Sequence, residues 1–366
     1  MLEHGPDMLI SLTGAEVPLY VLLSEGRLIA LSRQANGIIR IPDGPSLYLP
    51  ESEPAWAHQG ALGLLKSSRG AAPETVQEAP EGPEALFGAC VVGVRDYVQK
   101  CGLSGVVIGL SGGMDSALVA CIATEALGPE RVLGVLMPSR WSSDHSESDA
   151  ETLAKNLGIQ AVTAPITPMM DAFDSVLSPI FAGLPAVEND LTADNVQPRI
   201  RGALLMAFAN RLGRAVLGTG NKSENAVGYC TLYGDTVGAL EPIGDIYKTD
   251  VYKVARFYND MRGAEIIPAN VFTKAPSAEL HAGQVDEDNL PPYEVLDAVL
   301  RELLENGGNP ETLVVPGVAD DVVRSVVHKV AMAEFKRHQS APTLKLTSCT
   351  LGVDWHMPAV ARALNA

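Results

Sequence analysis

The spacing of apolar residues differs between the first part of this chain of 366 residues and the rest of it. Near the amino terminus, short apolar runs alternate with turn signals such as Asn36-Gly37, a pattern typical of antiparallel strands. Strands are predicted there at 19–23, 28–31, 38–41 and 47–49. Residues 66–83 then lack apolar periodicity and are rich in Pro, Gly and Glu, which is the composition of a linker. We therefore predict a small β-rich unit at 1–65, a linker at 66–83 and a larger domain at 84–366.

From residue 84 onward, helical and strand-like stretches alternate. The first helix is indicated by apolar residues at four-residue steps, which are Leu86, Cys90, Val94 and Val98. After it, strand-like runs at 106–108, 132–137, 160–163 and 215–219 alternate with helix-like runs at 117–127, 146–157 and 194–212. This alternation predicts βαβ units and an α/β fold with a doubly wound parallel sheet. Ligands of such sheets bind beyond the carboxyl ends of the strands.

Composition narrows the class of protein. Hydrophobic residues make up 46% of the chain and the formal net charge is −17. An acidic protein is a poor partner for nucleic acid, because phosphate backbones bind clustered Lys and Arg. No apolar run reaches the roughly 18 residues of a membrane helix, and residues 1–10 carry acidic side chains where a secretory signal would be basic. We expect a cytoplasmic protein without nucleic-acid or membrane partners.

Cysteine and histidine spacing gives no metal or disulfide motif. The five cysteines are an odd number without a CxxC pair, which argues against a disulfide framework and a cysteine-based zinc site. Cys90, Cys101 and Cys121 fall in apolar helical context and are expected to pack inside the protein as free thiols. The seven histidines form no HxxxH pair.

The most informative stretch is the glycine-rich turn Ser111-Gly112-Gly113-Met114-Asp115-Ser116, between a predicted strand and a predicted helix. Glycines at such a junction let backbone N–H groups approach anionic oxygens, and the helix N-terminus adds unpaired donors. Asp115 would repel a phosphate unless a cation lay between them, which indicates Mg²⁺. The lysine of a Walker loop is absent. We therefore predict a loop that binds a triphosphate together with Mg²⁺.

This loop resembles the SGGxDS pyrophosphate loop of the ATP pyrophosphatase family, whose members split ATP between the α- and β-phosphates and adenylate a substrate. The run 217–249, LGTGNKSENAVGYCTLYGDTVGALEPIGDIYKT, narrows the resemblance to the synthetase domain of NAD⁺ synthetases, particularly the glutamine-dependent ones, over about 84–350. Further similar blocks lie at 137–140, 194–201, 274–280, 284–296 and 334–337. The resemblance implies an adenine nucleotide α-hydrolase-like fold and the amidation of nicotinic acid adenine dinucleotide (deamido-NAD) to NAD⁺, with ATP, Mg²⁺ and ammonia.

The resemblance also implies roles for single residues. Asp115 and Glu224 match magnesium carboxylates, and Lys248 matches a lysine that reaches the ATP phosphates, so these three are the expected catalytic residues. The residues expected to bind ATP are Gly109, Leu110, Ser111, Gly112, Gly113, Asp115, Ser116, Arg140, Thr219, Lys248 and Ser277. Those expected to bind deamido-NAD are Asn195, Arg199, Glu224 and Lys336. A homodimer is implied as well.

One departure from the pattern of this family concerns the source of the amide nitrogen. Glutamine-dependent members carry an amino-terminal nitrilase-like glutaminase with a Glu-Lys-Cys triad, whereas residues 1–83 contain no cysteine. We therefore expect free ammonia or a separate glutaminase subunit to supply nitrogen, with the β-rich unit either a docking surface or a structural appendage. Two alternatives stay open from the sequence. One is another pyrophosphate-loop enzyme, GMP-synthetase-like or tRNA-thiolating, and the other is a catalytically silent nucleotide-binding regulator.

Overall fold

The computed structural model describes residues 81–281 and 283–358 in full and, nearer the amino terminus, the backbone of six strands. The chain divides into two compact units, Met1–Ala85 and Leu86–Ala366. A strand at Val76–Glu78 lies within the stretch that the sequence predicts as a linker. The division into 1–65, 66–83 and 84–366 stays a prediction.

The first unit contains two antiparallel three-stranded sheets, one in the order β1-β2-β3 and one in the order β5-β4-β6. The strands are β1 Met8–Leu12, β2 Leu19–Ser24, β3 Arg27–Leu31, β4 Gly37–Ile39, β5 Leu47–Leu49 and β6 Val76–Glu78. Strands β2 to β5 each overlap one of the four predicted strands, and β1 and β6 are additional. The prediction of β structure near the amino terminus is confirmed for these backbone segments.

The rest of the chain alternates strands with helices. Its strands are β7 Val106–Gly109, β8 Val132–Leu136, β9 Gln160–Thr163 and β10 Ala215–Val216. Its α-helices are α1 Gly82–Lys100, α2 Met114–Leu127, α3 Asp144–Leu157, α4 Thr167–Phe181, α5 Thr192–Leu212, α6 Lys222–Val227, α7 Lys248–Arg262, α8 Ala269–Thr273, α9 Tyr293–Leu304, α10 Asp320–Met332 and α11 Glu334–Arg337. The predicted strands and helices are all present, although β10 is shorter than predicted.

Strands β7 to β10 form one parallel sheet in the order β10-β7-β8-β9. Side chains of a strand alternate between the two faces of its sheet. Accordingly, Val106 and Ile108 of β7 pack with α1, α2, α3 and α7 in one core, whereas Val107 packs with α4 and α5 in a second core. Helices therefore cover both faces, and the prediction of a doubly wound parallel sheet is confirmed.

The strand order reverses next to β7, because β8 and β9 lie on one side of it and β10 on the other. A reversal of this kind opens a crevice beyond the carboxyl ends of the strands, which is the usual place for a ligand. The turn at 111–116 leaves β7 at this point. The topology alone thus directs attention to this edge of the sheet.

Two further expectations from the sequence concern the burial of cysteines and the presence of membrane helices. Cys90 and Cys121 are buried free thiols, as expected, but Cys101 is exposed. The expectation for Cys101 is wrong because α1 already ends at Lys100, so this cysteine lies in the turn after the helix. Among the helices of the described ranges, none combines the length and the apolar character needed to cross a membrane.

Candidate active site

The turn between β7 and α2 has the geometry of an anion-binding loop. Gly112 has a φ of +74°, and a Cβ atom there would lie 2.2 Å from the backbone oxygen of Ser146, so only glycine fits. The hydroxyls of Ser111 and Ser116 lie 3.0 Å apart, and the backbone N–H of Gly113 donates to Ser111 Oγ at 3.2 Å. Gly113 caps α2 without a side-chain hydrogen bond. The first N–H groups of α2 thus lack a side-chain cap, as a phosphate site requires.

A cavity of about 290 Å³ opens at this edge of the sheet. The turn forms one wall, residues 217–220 after β10 form another, and residues 274–280 form a third. Every residue expected to bind ATP lines this cavity except Arg140. Instead, the Nη2 atom of Arg140 lies 2.6 Å from Asp171 Oδ1 and 3.7 Å from Asp174 Oδ2, both on α4. Contact between Arg140 and ATP stays a prediction.

Three helix N-termini bring the expected catalytic residues together. Asp115 lies in the first turn of α2, Glu224 in the first turn of α6, and Lys248 is the first residue of α7. Asn221 connects two of them, because its backbone N–H donates to Glu224 Oε2 at 3.3 Å and its Nδ2 donates to Asp115 Oδ1 at 3.0 Å. Asn221 Oδ1 also accepts the N–H of Glu224 at 3.0 Å, which completes a capping box.

The ammonium group of Lys248 lies between the two carboxylates. Its Nζ atom contacts Asp115 Oδ2 and lies 3.3 Å from Glu224 Oε1. Burial raises the pKa of Glu224 to about 8, although the charge of Lys248 opposes this shift. Burial by itself would lower the pKa of Lys248, but Asp115 and Glu224 raise it above its ordinary value. The positive charge of Lys248 therefore opposes the burial that favours the protonated form of Glu224.

A hydrogen-bond chain fixes the start of α7. The backbone N–H of Lys248 donates to Ser223 Oγ at 2.9 Å, and Ser223 Oγ donates to Asp297 Oδ1 at 2.5 Å. Asp297 Oδ2 also accepts the N–H of Thr249 at 2.9 Å. Because α6, α7 and α9 all contribute to this chain, Lys248 is held in place by its backbone as well as by its charge.

Sequence reasoning missed several acidic residues that line the cavity, among them Asp235, Glu241 and Asp286. Asp286 is buried; its Oδ2 accepts the hydroxyl of Tyr293 at 2.8 Å, and its Oδ1 has no hydrogen-bond donor among the described residues. Burial raises the pKa of Asp286. Asp286 belongs to the block 284–296, which resembles NAD⁺ synthetases, but periodicity does not indicate which acidic residue of this block faces the cavity.

Glu241 is a buried acid without a cationic partner in the part of the chain that the structure describes. It is 1% exposed, and Asn225 Nδ2 donates to its Oε2 at 2.8 Å. Burial raises the pKa of Glu241 to about 8, and the amide of Asn225 counteracts only part of the shift. The pKa of Glu241 is thus raised as far as that of Glu224, although Glu241 has an amide beside it and Glu224 has a lysine.

The other residues expected to bind deamido-NAD do not line the cavity. Asn195 Oδ1 accepts the hydroxyl of Thr231 at 2.7 Å, and Arg199 Nε donates to the backbone oxygen of Leu232 at 3.1 Å. Lys336 Nζ donates to the backbone oxygens of Gly228 and Cys230, each at 2.7 Å. All three side chains thus hold the loop 228–235, parts of which line the cavity. Direct contact of these side chains with substrate stays a prediction.

An irregular segment, described at 274–281 and 283–285 and called the segment 274–285, forms the outer wall. Lys274 Nζ lies 2.6 Å from Glu279 Oε1, which also accepts the hydroxyl of Ser146 at 2.8 Å. Glu279 has a φ of +49°, in the left-handed region that a residue with a side chain rarely adopts. Ser277 Oγ donates to the backbone oxygen of Gln284 at 2.6 Å. This segment is attached to the N-terminus of α3 by side-chain bonds and not by regular secondary structure.

Comparison with known proteins agrees with this arrangement. The family model for NAD synthase matches residues 86–340. A glutamine-dependent NAD(+) synthetase from Thermotoga maritima is 50% identical over 82% of this chain and 52% of the relative. The structure of glutamine-dependent NAD+ synthetase from Acinetobacter baumannii in complex with adenosine diphosphate has a TM-score of 0.53 and 37% identity, and covers 79% of this chain and 52% of that chain. The NMN synthetase structure from Francisella tularensis has a TM-score of 0.57 and 27% identity, over 73% of this chain and 99% of that chain.

The chain spans about half the length of the glutamine-dependent relative from Thermotoga maritima. The matched residues include all three walls of the cavity, which are the turn after β7, residues 217–220 and residues 274–280. It favours NAD synthases over the other pyrophosphate-loop enzymes and over a silent regulator. This chain belongs to the NAD synthase family.

Proposed function

We propose that this chain amidates deamido-NAD to NAD⁺, with ATP consumed to AMP and pyrophosphate. The observation that carries the proposal is the convergence of the glycine turn with Asp115, Glu224 and Lys248 in one cavity. A phosphate loop beside buried carboxylates suits a nucleotide bound with a divalent cation. Family membership supplies the substrate class.

In the proposed first step, a carboxylate oxygen of the nicotinate group attacks the α-phosphorus of ATP and pyrophosphate leaves. The N–H groups at the start of α2 and the ammonium of Lys248 stabilise negative charge on the phosphates. Lys248 is preorganised for this because its backbone is bonded to Ser223. The product is a mixed anhydride of nicotinate and AMP.

The carboxylates also fit Mg²⁺. Asp115 and Glu224 both point at the Lys248 ammonium, so the fold already stabilises positive charge between them. Asp286 adds a buried oxygen without a donor within the described part of the chain. Magnesium prefers such oxygen donors, and when bound it would neutralise phosphate charge. We propose Asp115 and Glu224 as its protein ligands.

In the proposed second step, ammonia attacks the acyl carbon of the adenylate, AMP leaves and a proton is released. Asp235 lines the cavity and is exposed to it, and we propose that its carboxylate attracts the ammonium ion from which ammonia forms. The loop that carries Asp235 is held by Asn195, Arg199 and Lys336. Substitution of these three residues is therefore expected to act through the loop.

The source of nitrogen is part of the proposal. Several relatives are glutamine-dependent enzymes, and the part of each that matches this chain covers about half of that relative. We propose that ammonia is the species that enters this cavity, either free or delivered by a glutaminase on another polypeptide. Turnover of the purified chain with ammonium but not with glutamine would support this. Turnover with glutamine alone, unaffected by an ammonia scavenger, would refute it. A cytoplasmic location remains a proposal that rests on the sequence.

A homodimer is proposed from an exposed apolar face. Helix α4 buries only Met170, whereas Phe173, Val176 and Ile180 are 46%, 62% and 55% exposed. Their spacing of three and four residues puts them on one face of the helix, which is unusual for a surface that faces water. Sedimentation should give twice the mass of the chain, and Ile180→Asp should give the monomer. An active wild-type monomer would contradict the proposal.

A second substrate deserves a direct comparison, because the chain covers nearly all of an NMN synthetase structure. The purified protein should be incubated with ATP, Mg²⁺, ammonium and either deamido-NAD or nicotinate mononucleotide. We expect kcat/KM for deamido-NAD to exceed that for the mononucleotide by about 100-fold, roughly 3 kcal/mol of transition-state binding from the adenylyl half. A preference for the mononucleotide would assign the chain to NMN synthesis.

A further inference from the structure

A cluster of nitrogen and oxygen donors lies near the carboxyl end of the described chain, and none of its residues lines the active-site cavity. It consists of Glu334, His338 and His356. Glu334 Oε1 lies 3.2 Å from His338 Nε2 and 3.5 Å from His356 Nδ1. The two imidazole rings are stacked, with centroids 5.8 Å apart and planes inclined by 22°. The three donor atoms lie within 4.8 Å of one another.

The carboxylate of Glu334 uses its two oxygens differently. Glu334 is 3% exposed, and its Oε2 accepts both Arg337 Nη2 at 2.7 Å and Arg337 Nε at 3.1 Å. Its Oε1 is buried and makes no hydrogen bond of good geometry with the described residues. Burial favours the protonated form of Glu334, but Arg337, the backbone N–H of Met357 and the His356 ring together lower its pKa, so this oxygen carries negative charge that a cation can bind. Arg337 therefore fixes the orientation of a carboxylate whose other oxygen points at two imidazole nitrogens.

The spacing fits a tetrahedral transition metal. Zinc binds imidazole nitrogen and carboxylate oxygen at about 2.0–2.2 Å, which puts neighbouring donors of a tetrahedron roughly 3.3–3.6 Å apart. The distances of 3.2 and 3.5 Å from Glu334 Oε1 match that separation. Two imidazoles and one carboxylate suit Zn²⁺, Co²⁺ or Ni²⁺, whereas Mg²⁺ prefers oxygen donors alone. We propose that Glu334, His338 and His356 bind a divalent transition-metal ion of the zinc type.

Bound metal would connect two parts of the chain that lie far apart in sequence. His338 follows α11 directly, whereas His356 lies in the terminal described segment. The rings are accessible, since the side chains of His338 and His356 are 51% and 45% exposed, so solvent can complete the coordination sphere. Arg337 also donates to the backbone oxygen of Ala226 at 2.6 Å, next to the loop 228–235. Metal binding should therefore stabilise the folded protein by mass action.

The test measures Zn²⁺ binding to the full chain, purified without a histidine tag, by competition with a chromophoric chelator. The variants are His338→Ala and His356→Ala, which remove exposed rings and leave the core intact. His328→Ala, an exposed histidine on α10, is the matched control. We expect one Zn²⁺ per chain in the wild type and the control, and at least 30-fold weaker binding in each cluster variant. Equal binding by all four proteins, or no stoichiometric binding by the wild type, would overturn the proposal.

Co²⁺ provides a second readout that separates this site from the cysteines. The wild type should show visible d–d bands without a thiolate charge-transfer band in the near ultraviolet, and the d–d bands should disappear in His356→Ala. Zn²⁺ should also raise the Tm of the wild type and of His328→Ala but not that of His338→Ala. A thiolate band, or an equal rise of Tm in His338→Ala, would overturn the proposal and identify adventitious binding elsewhere.

Discussion

Two lysine–carboxylate clusters line the same cavity, and their lysines differ in exposure. In the inner cluster, Lys248 bridges Asp115 and Glu224, and its side chain is 5% exposed. In the outer cluster, Lys274 pairs with Glu279, and these side chains are 28% and 18% exposed. The inner residues stand at the N-termini of α2, α6 and α7, whereas the outer pair belongs to the irregular segment 274–285. The inner ion pairs are thus held by helix N-termini, whereas the outer ion pair is held by a loop.

The difference indicates a division of labour. Charges that stabilise a reacting phosphate must be fixed before the reaction, which helix ends and a capping box achieve. A wall that admits substrate must open, and the outer pair can separate by breaking side-chain bonds without unfolding a helix. The left-handed φ of Glu279 adds a strain that opening can release. We therefore expect inner substitutions to reduce turnover and outer ones to weaken substrate retention.

The largest effect is expected from the inner carboxylates. Asp115→Asn and Glu224→Gln should each lower AMP formation by about 10²- to 10³-fold, because each removes charge stabilisation of roughly 3–4 kcal/mol. Circular dichroism should show an unchanged fold, since neither change creates a cavity. Asp96→Asn is the control, because Asp96 is an exposed partner of Lys100. Near wild-type turnover in Asp115→Asn or Glu224→Gln at limiting Mg²⁺ would refute the inner cluster as the catalytic centre.

A smaller effect is expected from the buried acid that lacks a cation. The folded-state pKa of Glu241 is raised to about 8 from an ordinary 4.5, so its contribution to stability is present below pH 4.5 and is lost as pH rises through 8. Glu241→Gln should remove this dependence, which amounts to about 1 kcal/mol per pH unit in the steep region. Urea unfolding between pH 5 and pH 9 measures it, with the exposed Glu311→Gln as control.

If the stability of the Glu241→Gln protein fell with pH as steeply as that of the wild type, the buried acid would not be the cause. Glu224 of the inner cluster can be compared with Glu241, because burial raises the pKa of both acids and Lys248 opposes this rise only at Glu224. The two buried acids therefore differ in their neighbour, which is the ammonium of Lys248 for Glu224 and the amide of Asn225 for Glu241.

The smallest effect is expected at the outer wall. Partly exposed ion pairs contribute about 0–1 kcal/mol, so Lys274→Met should raise KM for ATP by up to about fivefold with little change in kcat. The matched control is Lys100→Met, which removes the lysine of the exposed ion pair Lys100–Asp96, outside the cavity. A loss of kcat as large as that of Asp115→Asn would place Lys274 in the chemical step and end the division of labour.

The sequence predicted the inner region better than the outer one. A glycine turn between strand and helix determines its own geometry locally, so the turn at 111–116 was identifiable from spacing. Glu224 and Lys248 were identified only through the resemblance to NAD⁺ synthetases. By contrast, Arg140 meets acidic side chains on α4, a helix that the apolar pattern did not reveal. Spacing says which residues share a helix face, not which distant atom each side chain contacts.

The residues around the loop 228–235 illustrate the same limit. Asn195 and Arg199 share a face of α5, as their spacing predicts, yet these two side chains contact the loop 228–235 and do not line the cavity. Asp286 and His356 become significant only through long-range packing. Local pattern therefore predicted the sheet, four of the helices that pack near it and the phosphate turn, whereas tertiary contacts decided which acids and bases stand next to one another.

The central claim is that the nicotinate carboxylate attacks the α-phosphorus of ATP in this cavity. It is tested most directly with deamido-NAD labelled with ¹⁸O in that carboxylate, incubated with ATP, Mg²⁺, ammonium and the purified chain. Attack through a carboxylate oxygen transfers that oxygen to AMP when ammonia displaces the adenylate. Mass spectrometry should therefore find one ¹⁸O in AMP for each NAD⁺ formed, and none in pyrophosphate. Unlabelled AMP, or label in an inorganic phosphate product, would contradict the account.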